Sequence, residues 1–161
     1  EQQVSELFAA LEEDNVEDRQ DFLDPPLKTQ ISERRERMQE RLRPWLGRLN
    51  SAQTEHLADW ANSLSEQTRL WLESRQRWQE QLRSVLAEPD SADFAPQLTR
   101  LLQQREAFYS DAYRASYDRS RQAFATLFSQ LLSSADAAQR ERLAHRLRDL
   151  RRDLVEQQCQ A

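Results

Sequence analysis

Residues 97–132 read QLTRLLQQREAFYSDAYRASYDRSRQAFATLFSQLL, and this stretch decides the fold. Its apolar residues fall at Leu98, Leu101, Leu102, Phe108, Tyr109, Ala112, Tyr113, Tyr117, Phe124, Leu127, Phe128 and Leu131. Steps of three and four mark one face of an α-helix, sustained for many turns without Gly or Pro. The pattern predicts one long central helix of roughly 50 Å, with an interruption near Gln103 to Arg105. Working outward, every other segment reads as a shorter amphipathic helix that needs such a surface to lie against.

Composition supports an all-α fold. One Gly and five Pro in 161 residues leave little turn chemistry for hairpins, and Gln, Glu, Arg, Ala and Leu are good helix formers. Charged residues make up 32% and hydrophobic ones 38%, which suits a narrow seam better than a thick core. The expectation is an elongated antiparallel helical bundle of about six helices in a single domain. Within it, residues 1–87 supply a hairpin plus Trp-rich helices, and residues 92–161 supply the long aromatic helix and a coiled-coil-like C-terminal helix.

The bulk numbers also exclude partners. A net charge of −5 disfavours nucleic acid, because phosphate binding wants a basic face. The lone Cys159 excludes an intramolecular disulfide and a Cys-based zinc site. No run approaches the roughly 20 apolar residues of a membrane span, and no signal peptide is visible. The chain opens on Glu1 already inside a helical pattern, so it reads as a fragment or processed product. The missing targeting signal therefore says nothing about where the parent resides.

Residues 1–23 form the first predicted helix, with Val4, Leu7, Phe8, Leu11 and Phe22 on one side. Asn15 and Arg19 continue that side, either as buried polar groups with partners or where the face turns outward. The helix is acidic: Glu1, Glu6, Glu12, Glu13, Asp14, Glu17, Asp18, Asp21 and Asp24 stand against Arg19 alone. Pro25 and Pro26 end it, since proline lacks the amide donor and biases its predecessor away from helix. The next helix, residues 29–42, is basic through Arg34, Arg35, Arg37 and Arg41, with Arg43 just beyond. An antiparallel hairpin of acidic against basic helix is expected, sealed by Ile31, Met38, Leu42, Trp45 and Leu49.

Pro44 and Gly47 bracket a kink or break around Trp45. Three Asx/Ser-x-x-Gln/Glu patterns then predict helix starts through capping boxes. They are Asn50 with Gln53, Ser63 with Glu66, and Asp136 with Gln139. Leu64, Trp71, Trp78 and Val85 recur every seven residues, with Leu82 beside them, as a packing seam. The indoles could instead stack on a ligand. Residues 88–92, containing Pro89, form a hinge.

Tyr109, Tyr113 and Tyr117 lie one turn apart, flanked by Arg114, Asp118 and Arg121. Tyrosine has an apolar body and a polar tip, which suits the edge of a core or an interaction stripe. Tyr109, Tyr113, Tyr117, Arg114 and Arg121 are the candidate partner-binding residues. The last helix carries Leu143, Leu147, Leu150 and Leu154 at alternating four and three spacing, a narrow coiled-coil-like seam, under an Arg-rich outer face.

Catalytic patterns are missing. His56 and His145 lie in no HExxH or Glu-x-x-His motif, and Glu141 with His145 offers too few groups for a metal. One Gly cannot build a phosphate-cradling loop. No catalytic residue, metal or cofactor is expected, although a site assembled from distant residues, in an enzyme or an enzyme inhibitor, stays open as the competing class.

SELFAALEEDN (residues 5–15), ERRERMQERLRPWLGRLNSAQTEHLADWA (33–61) and RLWLESRQRWQEQLR (69–83), in that order, resemble a known family. It is an uncharacterised family of proteobacterial lipoproteins, of which this would be the C-terminal part. The resemblance weakens after Pro89. It implies a longer parent with a signal peptide and an acylated N-terminal Cys, anchored to an envelope membrane and facing the periplasm. Cys159 is at the wrong end to be that Cys. LNSAQ also looks like the LTxxQ motif of the small helical periplasmic chaperones related to Spy and CpxP, with Asn50 in place of Thr; helix capping accounts for the same five residues. The functional expectation is a non-enzymatic periplasmic helical module that binds a protein partner or envelope component, with a chaperone-like surface as one form of it. It would meet a membrane only through a lipid anchor outside this stretch.

Overall fold

The computed structural model describes residues 2–158; Glu1 and Cys159 lie outside the described residues. Among those described there are seven α-helices, one 3-10 turn and no strand. The helices are α1 (Gln2–Phe22), α2 (Leu27–Leu46), α3 (Ser51–Ser63), α4 (Gln67–Leu86), α5 (Phe94–Gln103), α6 (Asp111–Ser133) and α7 (Ala137–Gln158). The 3-10 turn, Arg105–Phe108, separates α5 from α6. The all-α bundle expected from composition is present.

The single long central helix is not. Gln104 leaves helical geometry at φ −122° and ψ 49°, and Tyr109 is extended at φ −69° and ψ 133°. The break falls where the sequence places its interruption, and it is wider than three residues. It seats Phe108 against the core formed by Phe8, Leu82 and Leu101. Ser110 then restarts the helix, its Oγ accepting the Tyr113 N–H at 3.1 Å. Burying a phenyl ring and capping a new helix offset the lost helical hydrogen bonds.

The chain divides into two compact units, and each is discontinuous in sequence. The first comprises Glu1–Gln30 and Leu64–Arg121; the second comprises Ile31–Ser63 and Gln122–Ala161.

In the first unit α1 packs on α4, and α5 and the 3-10 turn pack on α4 as well. Phe8, Leu82 and Leu101 are its buried centre, ringed by Val4, Leu11, Trp78, Val85, Leu86, Leu98 and Phe108. Asn15 is 5% exposed and pairs with Gln79: its Nδ2 donates to Gln79 Oε1 at 2.7 Å, and Gln79 Nε2 returns to Asn15 Oδ1 at 3.3 Å. Of the two readings of Asn15, the partnered buried amide holds. Arg19 is exposed, so the face turns outward there.

Within the first unit the α1 carboxylates meet Arg75 of α4, which reaches Asp18 and Asp14. From Ile31 onward α2 belongs to the other unit. Exposed charge pairs are worth at most about 1 kcal/mol each, too little to choose a partner against apolar burial.

In the second unit Met38, Leu42 and Leu46 of α2, Leu57 of α3, and Leu127 and Leu131 of α6 form the buried cluster, with Trp45, Leu49 and Trp60 packed against it. Helix α2 continues through Pro44 and ends at Leu46, where Gly47 takes φ +71°. That left-handed residue closes the helix as glycine does most readily.

Two of the three capping boxes form, and they meet. Asn50 Oδ1 accepts from Gln53 N–H at 2.9 Å while Gln53 Oε1 accepts from Asn50 N–H at 3.1 Å. Asp136 Oδ1 and Gln139 Oε1 make the matching pair at 2.8 and 3.3 Å. The two glutamine amides, 86 residues apart, then bond each other reciprocally at 2.9 and 3.0 Å. Gln53 also donates to the Leu131 carbonyl, Gln139 to the Arg48 carbonyl and Asn50 to the Ser134 carbonyl. The starts of α3 and α7 are thereby capped around a pair of buried glutamines.

The third box, Ser63 with Glu66, does not form. Ser63 closes α3, its hydroxyl donating to the Trp60 carbonyl at 2.8 Å, and Glu66 makes no side-chain cap and pairs with Arg69. The pattern sits on a helix end here, where the serine hydroxyl already has an acceptor.

Candidate functional site

The apolar face of α4 centres on Leu72 and Leu82, with Gln79 and Ser74 also buried. Trp71 and Trp78 stand at its border, half-buried, one on each side of the Arg75 turn. The seven-residue Trp repeat is thus not the middle of the seam. Trp78 is anchored by its Nε1–H, which donates to the Leu101 carbonyl at 3.0 Å.

The α5–α6 break brings two further groups to these indoles. The Arg105 guanidinium lies 4.7 Å over the Trp78 ring, and Tyr109 and Tyr113 close the rim. Together with Leu11, Ser74, Arg75 and Gln79 they line a cleft of about 420 Å³ within the first unit. Arg75 lies 5.6 Å over Trp71 and is held by Asp18, with Asp14 at 3.4 Å. An unbroken helix through residues 104–110 would not carry Arg105 and Tyr109 in this arrangement.

The three tyrosines form one cluster. Tyr109 meets Tyr113 edge-on with centroids 4.7 Å apart, and Tyr117 lies 6.2 and 6.4 Å from the two. Their exposures differ: Tyr113 is 8% exposed, Tyr109 half-buried and Tyr117 38% exposed. Burial raises the Tyr113 phenol above its ordinary value, Tyr109 and Tyr117 add to the rise, and Arg105 opposes it.

Of the candidate binding residues, Tyr109 and Tyr113 line the cleft, while Tyr117 touches their rings from outside the lining. Arg114 is exposed and donates to the Glu106 carbonyl at 3.3 Å, which ties α6 to the 3-10 turn. Arg121 is exposed and absent from the lining. The cations that do converge are Arg75 and Arg105. Their sequence signal is weak, because a lone Arg gains meaning only when the chain folds it over a ring.

The lining offers stacking faces, two guanidiniums, an amide and hydroxyls, with no carboxylate, His or Cys among the lining residues. It suits binding by stacking and charge-assisted hydrogen bonds. In the second unit a wider cleft of about 600 Å³ mixes Glu36 and Glu40 with Arg43, Arg48 and Arg142. His145 sits on α7, its Nδ1 2.9 Å from Asp149 one turn on, beside a shallow hollow with Glu141. Among the described residues no group of three or more His, Cys, Asp or Glu side chains is placed to hold a metal.

The chain belongs to a family of unknown function, DUF6279, whose model matches residues 1–114. That span takes in α1 to α5, the 3-10 turn and the first residues of α6 including Tyr113, hence the whole lining of the aromatic cleft. No curated protein and no solved structure matches the chain. Among the described residues no helix is long and apolar enough to cross a membrane.

Proposed function

We propose that this chain is a non-enzymatic, protein-binding helical module of the bacterial envelope, part of a periplasmic lipoprotein, that holds extended segments of other proteins in the aromatic cleft. The cleft carries this reading: Trp71, Trp78, Tyr109 and Tyr113 around Arg75 and Arg105. Indole and phenol faces bury a partner's apolar side chain while keeping their polar tips satisfied at the rim. The exposed Arg105 guanidinium at the rim can pair with a neighbouring carboxylate, while Arg75 is already held by Asp18 and Asp14. The matching ligand is a segment with an aromatic or aliphatic side chain beside acidic residues. The resemblance to lipoproteins supplies the location, and a chaperone-like use of the cleft follows if many client segments fit it.

The test is anisotropy of a labelled peptide alternating Phe and Glu, titrated with the 161-residue chain, against a peptide alternating Phe and Lys. Preferential binding of the acidic peptide is expected. Arg105→Ala should weaken it about fivefold, the worth of about one cation–π or charge-assisted contact. Equal binding of both peptides, or none by either, refutes the cleft assignment. Location is tested separately by palmitate labelling of the full-length parent; an unlabelled product refutes the lipoprotein reading. A triple alanine replacement of the tyrosines does not separate binding from folding, because Tyr113 is buried. Arg105→Ala does, because Arg105 lines the cleft and is exposed; it should leave stability nearly unchanged while lowering protection of an aggregating test protein.

A further inference from the structure

The beginning of α7 is well held. Gln139 is 5% exposed in the paired capping boxes, the Arg142 side chain lies against Gly47, and the Arg146 guanidinium is 5.8 Å from the Trp45 ring. Beyond Arg146 the helix changes character. Leu147, Leu150 and Leu154 are 52%, 45% and 54% exposed, and Leu143 before them is half-buried. Among the described residues the ion pairs of this part lie within α7: His145 and Arg152 to Asp149, and Arg152 to Asp153. Leu147, Leu150 and Leu154 thus stand exposed in line with the half-buried Leu143, on a helix that continues for three turns.

The width of the stripe says what covers it. At 100° per residue the four leucines fall within about 60° of one another, the a/d seam of a coiled coil, with Val155, 53% exposed, outside that stripe beyond the Arg151 flank. A helix lying in a membrane interface needs a broader apolar face. The flanks say which helix and in which direction. Arg146 and Asp153 precede Leu147 and Leu154 on one flank, while Ala144 and Arg151 follow Leu143 and Leu150 on the other. In a parallel pair of identical helices Arg146 would face Arg151 of the other copy twice. In an antiparallel pair, with Leu147 against Leu150 and Leu143 against Leu154, Arg146 faces Asp153 twice and Arg151 faces Ala144. Like charges oppose the first arrangement and opposite charges favour the second.

We propose that α7 is a self-association surface, pairing antiparallel with α7 of a second copy along Leu143, Leu147, Leu150 and Leu154. Two heptads make a small interface, so the dimer is weak and reversible. A weak self-contact of this kind would bring two aromatic clefts into one assembly and raise their avidity for a multivalent partner.

Sedimentation equilibrium of the 161-residue chain from about 5 to 500 µM tests this. A monomer–dimer equilibrium is expected. Leu150→Glu, at an exposed position, should keep the helical content and thermal midpoint while weakening association at least about tenfold. Among the described residues Asp153 pairs with its neighbour Arg152, so Asp153→Arg chiefly changes the pairing charge. It should weaken the dimer at low salt, and adding Arg146→Asp should restore it. A parent that stays monomeric throughout overturns the proposal, as does association indifferent to Leu150→Glu. Association unmoved by Asp153→Arg overturns the antiparallel arrangement. Binding to phosphatidylglycerol vesicles that is lost in Leu150→Glu, without self-association, assigns the stripe to a membrane surface instead and equally overturns it.

Discussion

Replacing Gln53 by Ala should be among the costliest single changes in this protein. The side chain is fully buried and makes four hydrogen bonds: to Leu131 and Gln139 as donor, from Asn50 and Gln139 as acceptor. Losing the capping interaction costs about 1 kcal/mol. The Asn50 N–H and the Gln139 amide are then left buried with fewer partners, at about 1–3 kcal/mol for each unsatisfied group. With the small cavity, the total is about 3–5 kcal/mol, a large part of the 5–15 kcal/mol typical of a domain. Gln139→Ala removes the same shared pair of bonds from the other side. The two changes should therefore be strongly non-additive, the double variant costing about 1–3 kcal/mol less than the sum of the singles. Urea unfolding of the four proteins, followed by far-UV circular dichroism, measures that coupling. Additivity to within about 0.5 kcal/mol, or a Gln53→Ala cost below about 1 kcal/mol, would show that the two boxes do not bear on each other as described.

Three further outcomes follow from single contacts. Asn15→Ala leaves the Gln79 amide buried without its partner and should destabilise by about 2–3 kcal/mol in the same assay, whereas replacing both by Leu should recover much of that loss. Gly47→Ala places a Cβ at φ +71°, 3.3 Å from the movable Arg142 Nε, so backbone strain dominates and about 1–2 kcal/mol should be lost; a neutral result would mean that Gly47 is not left-handed in solution. The Tyr113 phenol is raised by burial, so its contribution to stability is whole below the ordinary phenol value near 10 and is lost as pH climbs through the higher folded value. Absorbance at 295 nm should show a late-ionising phenol that disappears in Tyr113→Phe.

What the sequence determined by itself is local. The all-α class, the proline stop after Asp24, the interruption after Gln103 and the boxes at Asn50 and Asp136 rest on groups within four residues of each other, which the chain brings together however it folds. Even Asn15, polar in an apolar row, announces a partner without naming it. The tertiary structure decided the pairings. It set α1 on α4, joined two capping boxes 86 residues apart, and left the Ser63 pattern unused on a helix end. It also broke the central helix so that Arg105 covers Trp78, which created the aromatic cleft from residues of α1, α4, the 3-10 turn and α6. Helical periodicity tells which face is apolar and not what meets it. The acidic run of α1 did not name α4 as its packing partner, because solvent-exposed charges contribute about 1 kcal/mol or less per pair while each buried Leu or Phe side chain contributes about 1.5–3.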